Sequence, residues 1–198
     1  MIIIAGIPGT GKTTFARYLS GKMKVPMCSK DILKEHLFDT IGFGNREEKV
    51  RLGIAAMDLL YHFADEHLKI GLPVILENNF ENISKPGLMK LIDTYKCRTV
   101  TIKFYCEPAV LANRFLIRDR SPERHRGHVI NTKYPEEEGQ EEQSFLSGAI
   151  YPESYFTVMD ARGMGSFTIG GDEINVDSTD FSKVFYEEIY ERIKSIIA

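Results

Sequence analysis

The chain has 198 residues, a length that suits one domain with a full hydrophobic core. Hydrophobic residues make up 43% and charged residues 27%, as in ordinary globular proteins, and no apolar run approaches the ~20 residues that a membrane-spanning helix needs. The net charge of −3 excludes a global basic field that would hold nucleic acid, but it does not exclude a local basic patch.

The cysteines and the first residues bear on where the protein works. Cys28, Cys97 and Cys106 are odd in number and too widely spaced for a Cys-x-x-Cys site, which favours a reduced, cytoplasmic setting. Met1 leads directly into an apolar run without a charged leader, so we expect no signal peptide and no membrane partner.

Apolar runs alternate with helical patterns along the first half of the chain. Residues 1–5 are a continuous, mostly β-branched run, typical of a strand buried on both faces of a parallel sheet. In the helix predicted over residues 46–69, apolar residues recur at spacings of three and four and predict one buried stripe. That stripe consists of Val50, Ile54, Met57, Tyr61, Ala64 and Leu68. The other elements predicted here are helix 12–22, strand 25–28, a helix that contains Asp31, and strand 74–77.

The same alternation continues to about Arg120 and returns near the C-terminus. We predict helix 86–95, strand 99–106, helix 108–119, a last strand within 172–180 and a helix over 181–197. The acidic run 136–142 is interpreted as a solvated loop. The pattern predicts an α/β fold in which a mostly parallel five-stranded sheet is sandwiched between helices, as a single domain over residues 1–198.

The strongest motif is GIPGTGKT at residues 6–13, which matches G-x-x-x-x-G-K-[ST] between a predicted strand and a predicted helix. Its glycines let successive backbone N–H groups point at phosphate oxygens, and the helix adds its positive N-terminus. Lys12 supplies a charge for the β- and γ-phosphates, and the Thr13 hydroxyl is placed to bind Mg²⁺. We therefore expect ATP and Mg²⁺. The predicted nucleotide-binding residues here are Gly6, Gly9, Thr10, Gly11, Lys12, Thr13 and Thr14.

Four further segments accompany this motif: CSKD at 28–31, VILENNF at 74–80, an arginine-bearing helix and RHRGH at 124–128. Together they resemble the small P-loop kinases, specifically the polynucleotide-kinase-like, zeta-toxin-like and chloramphenicol-phosphotransferase-like groups. The resemblance covers roughly residues 1–128 and the closing strand and helix. It implies that Asp31 accepts the proton of the attacking hydroxyl, and that the loop within 175–180 borders the adenine.

Asp31 has two interpretations. Asp31 or Ser29 could cap the helix that follows, because carboxylate and hydroxyl oxygens accept from free N–H groups. Alternatively, Asp31 is the base in phosphoryl transfer, where positioning and charge stabilisation dominate. Lys34 lies one turn further on and would share the face of Asp31, so we expect it to contact the acceptor. In polynucleotide-kinase-like proteins an arginine at this offset holds the acceptor's phosphate, and lysine departs from that pattern.

Three polar residues follow the third predicted strand and are candidates for binding the acceptor. Glu77 could help to hold Mg²⁺ through water or contact the acceptor, or simply face solvent at the strand end. Asn78 and Asn79, with Phe80, could grip the acceptor, although a plain loop is equally consistent.

Arginines concentrate in and after the helix over 108–119. By resemblance, residues 118–130 form a lid that closes over ATP and brings guanidinium groups to the transferred phosphate. We expect Arg120 and Arg124 to be catalytic and Arg118 to bind nucleotide. An exposed helix paired with glutamates is the alternative. His125 and His128 lack an evident third ligand, which argues against a metal site.

The sequence therefore predicts an ATP-dependent phosphotransferase that acts on a hydroxyl of a small molecule, nucleoside-, sugar- or antibiotic-like. One alternative is a polynucleotide 5′-hydroxyl kinase, which is less favoured because the net charge is negative and the visible basic residues sit in the lid. The other is an ATP-binding regulatory module with little or no transferase activity. The sequence does not indicate the oligomeric state.

Overall fold

A five-stranded parallel sheet lies at the centre of the fold, with the strand order β2-β3-β1-β4-β5. The computed structural model describes residues 1–136 and 153–197. The predicted α/β fold with a five-stranded sheet is confirmed, and every pairing between these five strands is parallel. The strands are β1 (Ile2–Gly6), β2 (Met27–Ser29), β3 (Ile75–Glu77), β4 (Val100–Tyr105) and β5 (Asp172–Asp177).

Helices cover both faces of this sheet. The helices are α1 (Lys12–Met23), α2 (Lys30–Ile41), α3 (Arg46–Lys69), α4 (Lys85–Tyr95), α5 (Pro108–Arg120), α6 (Arg126–Val129), α7 (Glu153–Ala161) and α8 (Tyr186–Ile197). Two 3₁₀ turns, Asn82–Ser84 and Phe181–Lys183, precede α4 and α8.

The position of β1 in the sheet explains why its sequence is apolar without interruption. Ile2 and Ile4 point to the core formed with α1 and α8, whereas Ile3 and Ala5 point to the core formed with α3 and α4. A strand buried on both faces has no position for a polar side chain, so alternation disappears.

The sheet brings the carboxyl ends of β1, β2 and β3 together at one edge. Glu77 at the end of β3 is in register with Ile4 of β1 and with Ser29 of β2. In parallel α/β sheets the loops beyond these strand ends form the ligand-binding crevice. The fold thus places the phosphate-binding motif, the start of α2 and the loop after β3 side by side.

The predicted buried stripe of α3 is wrong in its first half. Val50 is 49% exposed and Ile54 is 59% exposed, and the face buried there carries Lys49, Gly53 and Ala56 instead. Ala64 and Leu68 are buried as predicted. Periodicity locates an apolar face but cannot tell whether that face meets the core or a cavity. Here Val50, Ile54 and Met57 line a cavity.

Other departures lie after Arg120. Helices α6 and α7 were not predicted, and the last helix begins at Tyr186 after a separate 3₁₀ turn. Of the acidic run, Glu136 accepts two hydrogen bonds from Arg126 at 2.8 and 3.0 Å, and residues 137–142 lie outside the described part. Within the described ranges, no helix combines the length and the apolar character that crossing a bilayer would require.

Candidate active site

The loop between β1 and α1 has the backbone geometry of a phosphate cradle. Gly6 and Gly11 have φ angles of +132° and +87°, which residues other than glycine rarely adopt. A Cβ on Gly6 would lie 2.1 Å from the Phe104 carbonyl oxygen, so no larger residue fits there. The Thr10 hydroxyl donates to the Ile7 carbonyl at 2.8 Å and holds the loop in shape.

Lys12 is buried in this loop, with only 4% of its surface exposed. Its Nζ donates to the Ile7 carbonyl oxygen at 2.8 Å. Burial lowers the pKa of Lys12 to about 8, although the carboxylates of Glu77 and Asp31 oppose that shift. The ammonium is therefore mostly charged at neutral pH, and a polyphosphate in the cradle would compensate the charge.

Glu77 supplies a buried carboxylate beside Thr13. The Ser29 hydroxyl donates to Glu77 Oε2 at 2.5 Å, and the Thr13 side chain also hydrogen-bonds to this carboxylate. Burial raises the pKa of Glu77, opposed by the nearby Lys12 ammonium. A hydroxyl and a carboxylate side by side are the hard oxygen ligands that Mg²⁺ prefers, so the residues present fit this cation.

Asp31 is the second residue of α2 and does not behave as a cap. The N-cap residue Ser29 makes no side-chain capping bond, because its hydroxyl goes to Glu77. Among the described residues no hydrogen bond to the Asp31 carboxylate is found, and the group lines the cavity beside the cradle. The geometry therefore favours the catalytic interpretation over the capping one.

Positive groups surround this carboxylate. Burial alone would raise the pKa of Asp31, but His128, Lys34, Lys30 and Arg124 together lower it. Burial also lowers the pKa of His128, so its imidazole is neutral near pH 7 and the lysines and Arg124 exert the effect there. Asp31 is thus ionised at neutral pH.

A cavity of about 360 Å³, the nucleotide cavity, collects the predicted site residues. The cradle, Asp31 and Glu77 line it together with Arg17 and Glu35, which were not predicted. Its lining is Pro8, Gly9, Gly11, Lys12, Thr13, Thr14, Arg17, Ser29, Asp31, Ile32, Glu35, Glu77, Asn79, Arg118, Arg124 and Phe181.

The lid arginines divide into two groups. Arg118 and Arg124 line the nucleotide cavity, whereas Arg120 is exposed and does not. Arg124 Nε is buried and lies 3.4 Å from Asp119 Oδ1, yet it has no hydrogen-bond partner in the described part of the chain. The structure therefore favours Arg124 and Arg118, and not Arg120, as the arginines that reach the transferred phosphate.

The segment predicted to form the lid contacts α2 through its two histidines. His128 donates from Nε2 to Glu35 at 2.9 Å, and His125 donates to Asp39 at 3.0 Å. Within residues 1–136 and 153–197 no group of three or more potential metal-ligating side chains occurs.

The loop after β5 lies beside the cradle. The Arg114 guanidinium stacks on the Phe181 ring at 3.7 Å and donates to the Thr179 carbonyl oxygen at 2.9 Å. A Cβ on Gly11 would lie 2.9 Å from Phe181. The Phe181 ring is therefore within reach of a nucleotide in the cradle. Contact of this loop with adenine stays a prediction.

A second and larger cavity, of about 890 Å³, adjoins the first between α2, α3 and the loop after β3. We call it the acceptor cavity, after Lys34 and Asn78, which line it and which the sequence predicts to bind the acceptor. Neighbouring residues face different cavities: Asn78 lines the acceptor cavity and Asn79 the nucleotide cavity. Asn78 Nδ2 donates to Met57 Sδ at 3.6 Å. Phe80 is fully buried against Phe167, with ring centroids 5.3 Å apart, so its predicted role at the acceptor is wrong.

Sequence reasoning missed most of the acceptor cavity. Lys34 lines it, and so do Lys30, Arg46 and Lys49, which were not predicted. The expectation that the basic residues sit only in the lid is therefore wrong. Their spacing of four on α2 and of three on α3 was a usable signal, since residues three or four apart share a helix face.

Comparison with known proteins agrees with this geometry. The profile of a protein family described as "AAA domain" matches residues 1–133. No curated protein sequence matches the chain. A protein from Chloroflexus aurantiacus that is proposed to be a kinase has a similar structure, with a TM-score of 0.80, 27% identity, and coverage of 98% of this chain and 96% of that one.

Two other structures have lower sequence identity to this chain and share only its fold. Shikimate kinase from Bacteroides thetaiotaomicron has a TM-score of 0.52 at 15% identity, covering 99% of this chain and 97% of its own. Kti12 from Chaetomium thermophilum, solved with ADP-AlF3, has a TM-score of 0.57 at 16% identity, covering 100% and 98%. The chain therefore has the fold of P-loop kinases, and the subgroup named from the sequence stays a prediction.

Proposed function

Because the chain belongs to the AAA domain family, we propose that its nucleotide cavity binds ATP and that the protein is a kinase. The enzyme transfers the γ-phosphate to a hydroxyl of a small molecule held in the acceptor cavity. The proposal rests on the two adjoining cavities and on the chemistry of the residues between them.

One observation carries the proposal: Asp31 lines the nucleotide cavity, and residues beside it on α2 line the acceptor cavity. Lys30 and Lys34 line the acceptor cavity, whereas Asp31 and Glu35 on the same helix line the nucleotide cavity. A hydroxyl in the acceptor cavity can therefore approach both the carboxylate and a phosphate in the cradle. A module that only binds ATP would need neither the unpaired carboxylate nor the second cavity.

The transfer step follows from this placement. The acceptor oxygen bonds to the γ-phosphorus, and the bond from that phosphorus to the β–γ bridging oxygen breaks, so its electron pair leaves with ADP. The hydroxyl proton passes to Asp31 and from there to solvent. The transition state is loose, so the carboxylate orients the hydroxyl and takes the proton late.

The remaining groups stabilise charge. Lys12 and the cradle N–H groups hold the phosphates, and Arg118 and Arg124 meet the oxygens of the transferred group. Thr13 and Glu77 would hold Mg²⁺, Glu77 directly or through water. Bound there, the cation would neutralise charge on the β- and γ-phosphates. The lid excludes water from the site, which limits ATP hydrolysis.

A screen of hydroxyl compounds tests the function. ADP formation should depend on an added small acceptor and should be slow without one. ATP consumption that ignores every acceptor would point to the regulatory module instead.

The polynucleotide alternative gains one observation, namely the cations in the acceptor cavity. End-labelling of 5′-hydroxyl oligonucleotides with γ-labelled ATP at low and moderate salt separates the two. Efficient labelling that weakens steeply with salt would favour the polynucleotide kinase. We expect little labelling.

The lid arginines give a further prediction. Arg124→Ala should lower kcat by about 10-fold or more while ATP affinity changes less, because a guanidinium that engages mainly in the transition state acts on the rate. Arg120→Ala is the matched control and should behave as wild type, since Arg120 is exposed outside the cavity. Steady-state kinetics and ATP titration measure kcat and ATP affinity for both variants. Equal losses of kcat in the two variants would contradict the conclusion that Arg124, and not Arg120, reaches the transferred phosphate.

A further inference from the structure

The acceptor cavity has an uneven distribution of charge. Lys30, Lys34, Arg46 and Lys49 line it on the side of α2 and the start of α3. On the other side Arg162 forms a bidentate pair with Glu81, at 2.6 and 2.8 Å, so these two charges cancel. The end nearest Asp31 is therefore the positive end.

Arg46 and Lys34 at this end contact neutral partners, and Lys49 is tied to the segment that follows α5. Lys49 donates to the His128 carbonyl oxygen and to Asn131 Oδ1, both at 3.1 Å. Arg46 donates to Asn131 Oδ1 at 3.0 Å. Lys34 Nζ lies over the Phe38 ring, 5.2 Å from its centroid. In the part of the chain that the structure describes, no carboxylate oxygen lies within 4.0 Å of a side-chain nitrogen of Lys34 or Arg46.

Lys34 is also withdrawn from solvent. It packs over the backbone of α3 at Gly53, where an added Cβ would lie 3.5 Å from Lys34 Cε and 3.9 Å from Nζ. The pKa of Lys34 is lowered to about 8, mainly by burial and also by Lys30, Arg124 and Arg46, while Asp31 opposes the shift. An ammonium held in this way weakens the fold unless a ligand pairs with it.

The acceptor cavity also has an apolar wall. Val50, Ile54 and Met57 line the cavity along α3; Val50 and Ile54 are exposed, and Met57 also packs against the core. The cavity volume, about 890 Å³, is within the range of small-molecule sites. Such a lining suits a carbon skeleton on one side and an anion on the other.

We propose, resting on the kinase function above, that the acceptor is an anionic hydroxyl compound whose carboxylate or phosphate pairs with Lys34 and Arg46. Val50, Ile54 and Met57 contact its carbon skeleton. Asp31 and Lys34 are one helical turn apart, about 5–6 Å between Cβ atoms, so the reacting hydroxyl is a few bonds from the anion. A hydroxy acid and a sugar phosphate both meet this description.

The test compares matched acceptors in three arms: neutral polyols, the corresponding hydroxy acids, and the corresponding phosphate monoesters. Transfer is measured with wild type, Lys34→Met, Lys34→Arg and the control Lys90→Met, which changes an exposed lysine of α4. We expect one anionic arm to exceed the neutral arm by at least tenfold in kcat/KM. Lys34→Met should raise the KM for that acceptor at least tenfold and the KM for ATP much less, and Lys34→Arg should retain most of the affinity.

Calorimetry of the same compounds, with the cradle saturated by a non-hydrolysable ATP analogue, separates the two proposals. Anion binding that needs Lys34, without transfer in any arm, would support the anion site and contradict the kinase. Transfer to neutral compounds as efficient as to anions, or unchanged by Lys34→Met, would overturn the anion inference and leave the kinase standing. Neither transfer nor Lys34-dependent binding would overturn both.

Discussion

Asp31→Asn is expected to leave ATP affinity near the wild-type value and to slow phosphoryl transfer by about 10² or more, the range found for general acid–base groups. The amide keeps the shape of the side chain but cannot take the hydroxyl proton. ATP titration by calorimetry and acceptor-dependent ADP formation measure the two effects. Asp93→Asn, on an exposed position of α4 outside both cavities, is the control. Unchanged transfer in Asp31→Asn would show that Asp31 has a structural role only.

The pH profile separates Asp31 from its neighbour His128. The pKa of Asp31 is lowered from its ordinary value of 3.8, so the active ionised form is present above that value and is lost only as pH falls through the lower folded pKa. The transfer rate should therefore have no acidic limb near pH 6. A limb at that pH that disappears in a His128→Gln variant would instead identify the histidine as the base.

Lys12→Met is expected to lower ATP affinity by about 10- to 100-fold, because a charged hydrogen bond to phosphate is lost. Turnover should fall at least as far, since the same charge acts in the transition state. The fold should survive, because methionine fills a similar volume and Lys12 Nζ contacts only one carbonyl oxygen among the hydrogen bonds described. Calorimetry and circular dichroism, with Lys90→Met as the control, measure these outcomes.

Deprotonation of Lys12 should also lower the ATP affinity of the wild-type protein at alkaline pH. The pKa of Lys12 is lowered to about 8 in the free protein, so ATP affinity should decline as pH rises above that value, and Lys12→Met should lack this decline. Wild-type affinity in the variant, at any pH, would contradict the assignment of the loop as a triphosphate site.

How far the sequence predicts the structure depends on how local each signal is. The cradle was fully predictable, because the glycines and Lys12 act within one turn of chain whose geometry the motif dictates. The order of strands and helices was predictable for the same reason, as each pattern is contained in its own segment.

Long-range packing explains what was missed. The face of α3 was misassigned because Val50 and Ile54 look like core residues but line a cavity, while Lys49 is buried through bonds to lid carbonyls 79 and more residues away. Arg120 and Arg124 are the catalytic arginines that the sequence predicts, yet Arg124 lines the cavity and Arg120 is exposed outside it, because the turn after α5 decides which guanidiniums face the cavity. Neither fact is contained in the local sequence.

The most direct test of the central claim follows the phosphate itself. Wild type and Asp31→Asn are incubated with ATP labelled by ¹⁸O in the γ-phosphate and with the acceptor panel, and all products are analysed by mass spectrometry. The account predicts labelled phosphate joined to an acceptor hydroxyl in wild type, with at most about one hundredth of that rate in Asp31→Asn. Label found only in inorganic phosphate across the whole panel, or equal transfer by both proteins, would contradict it.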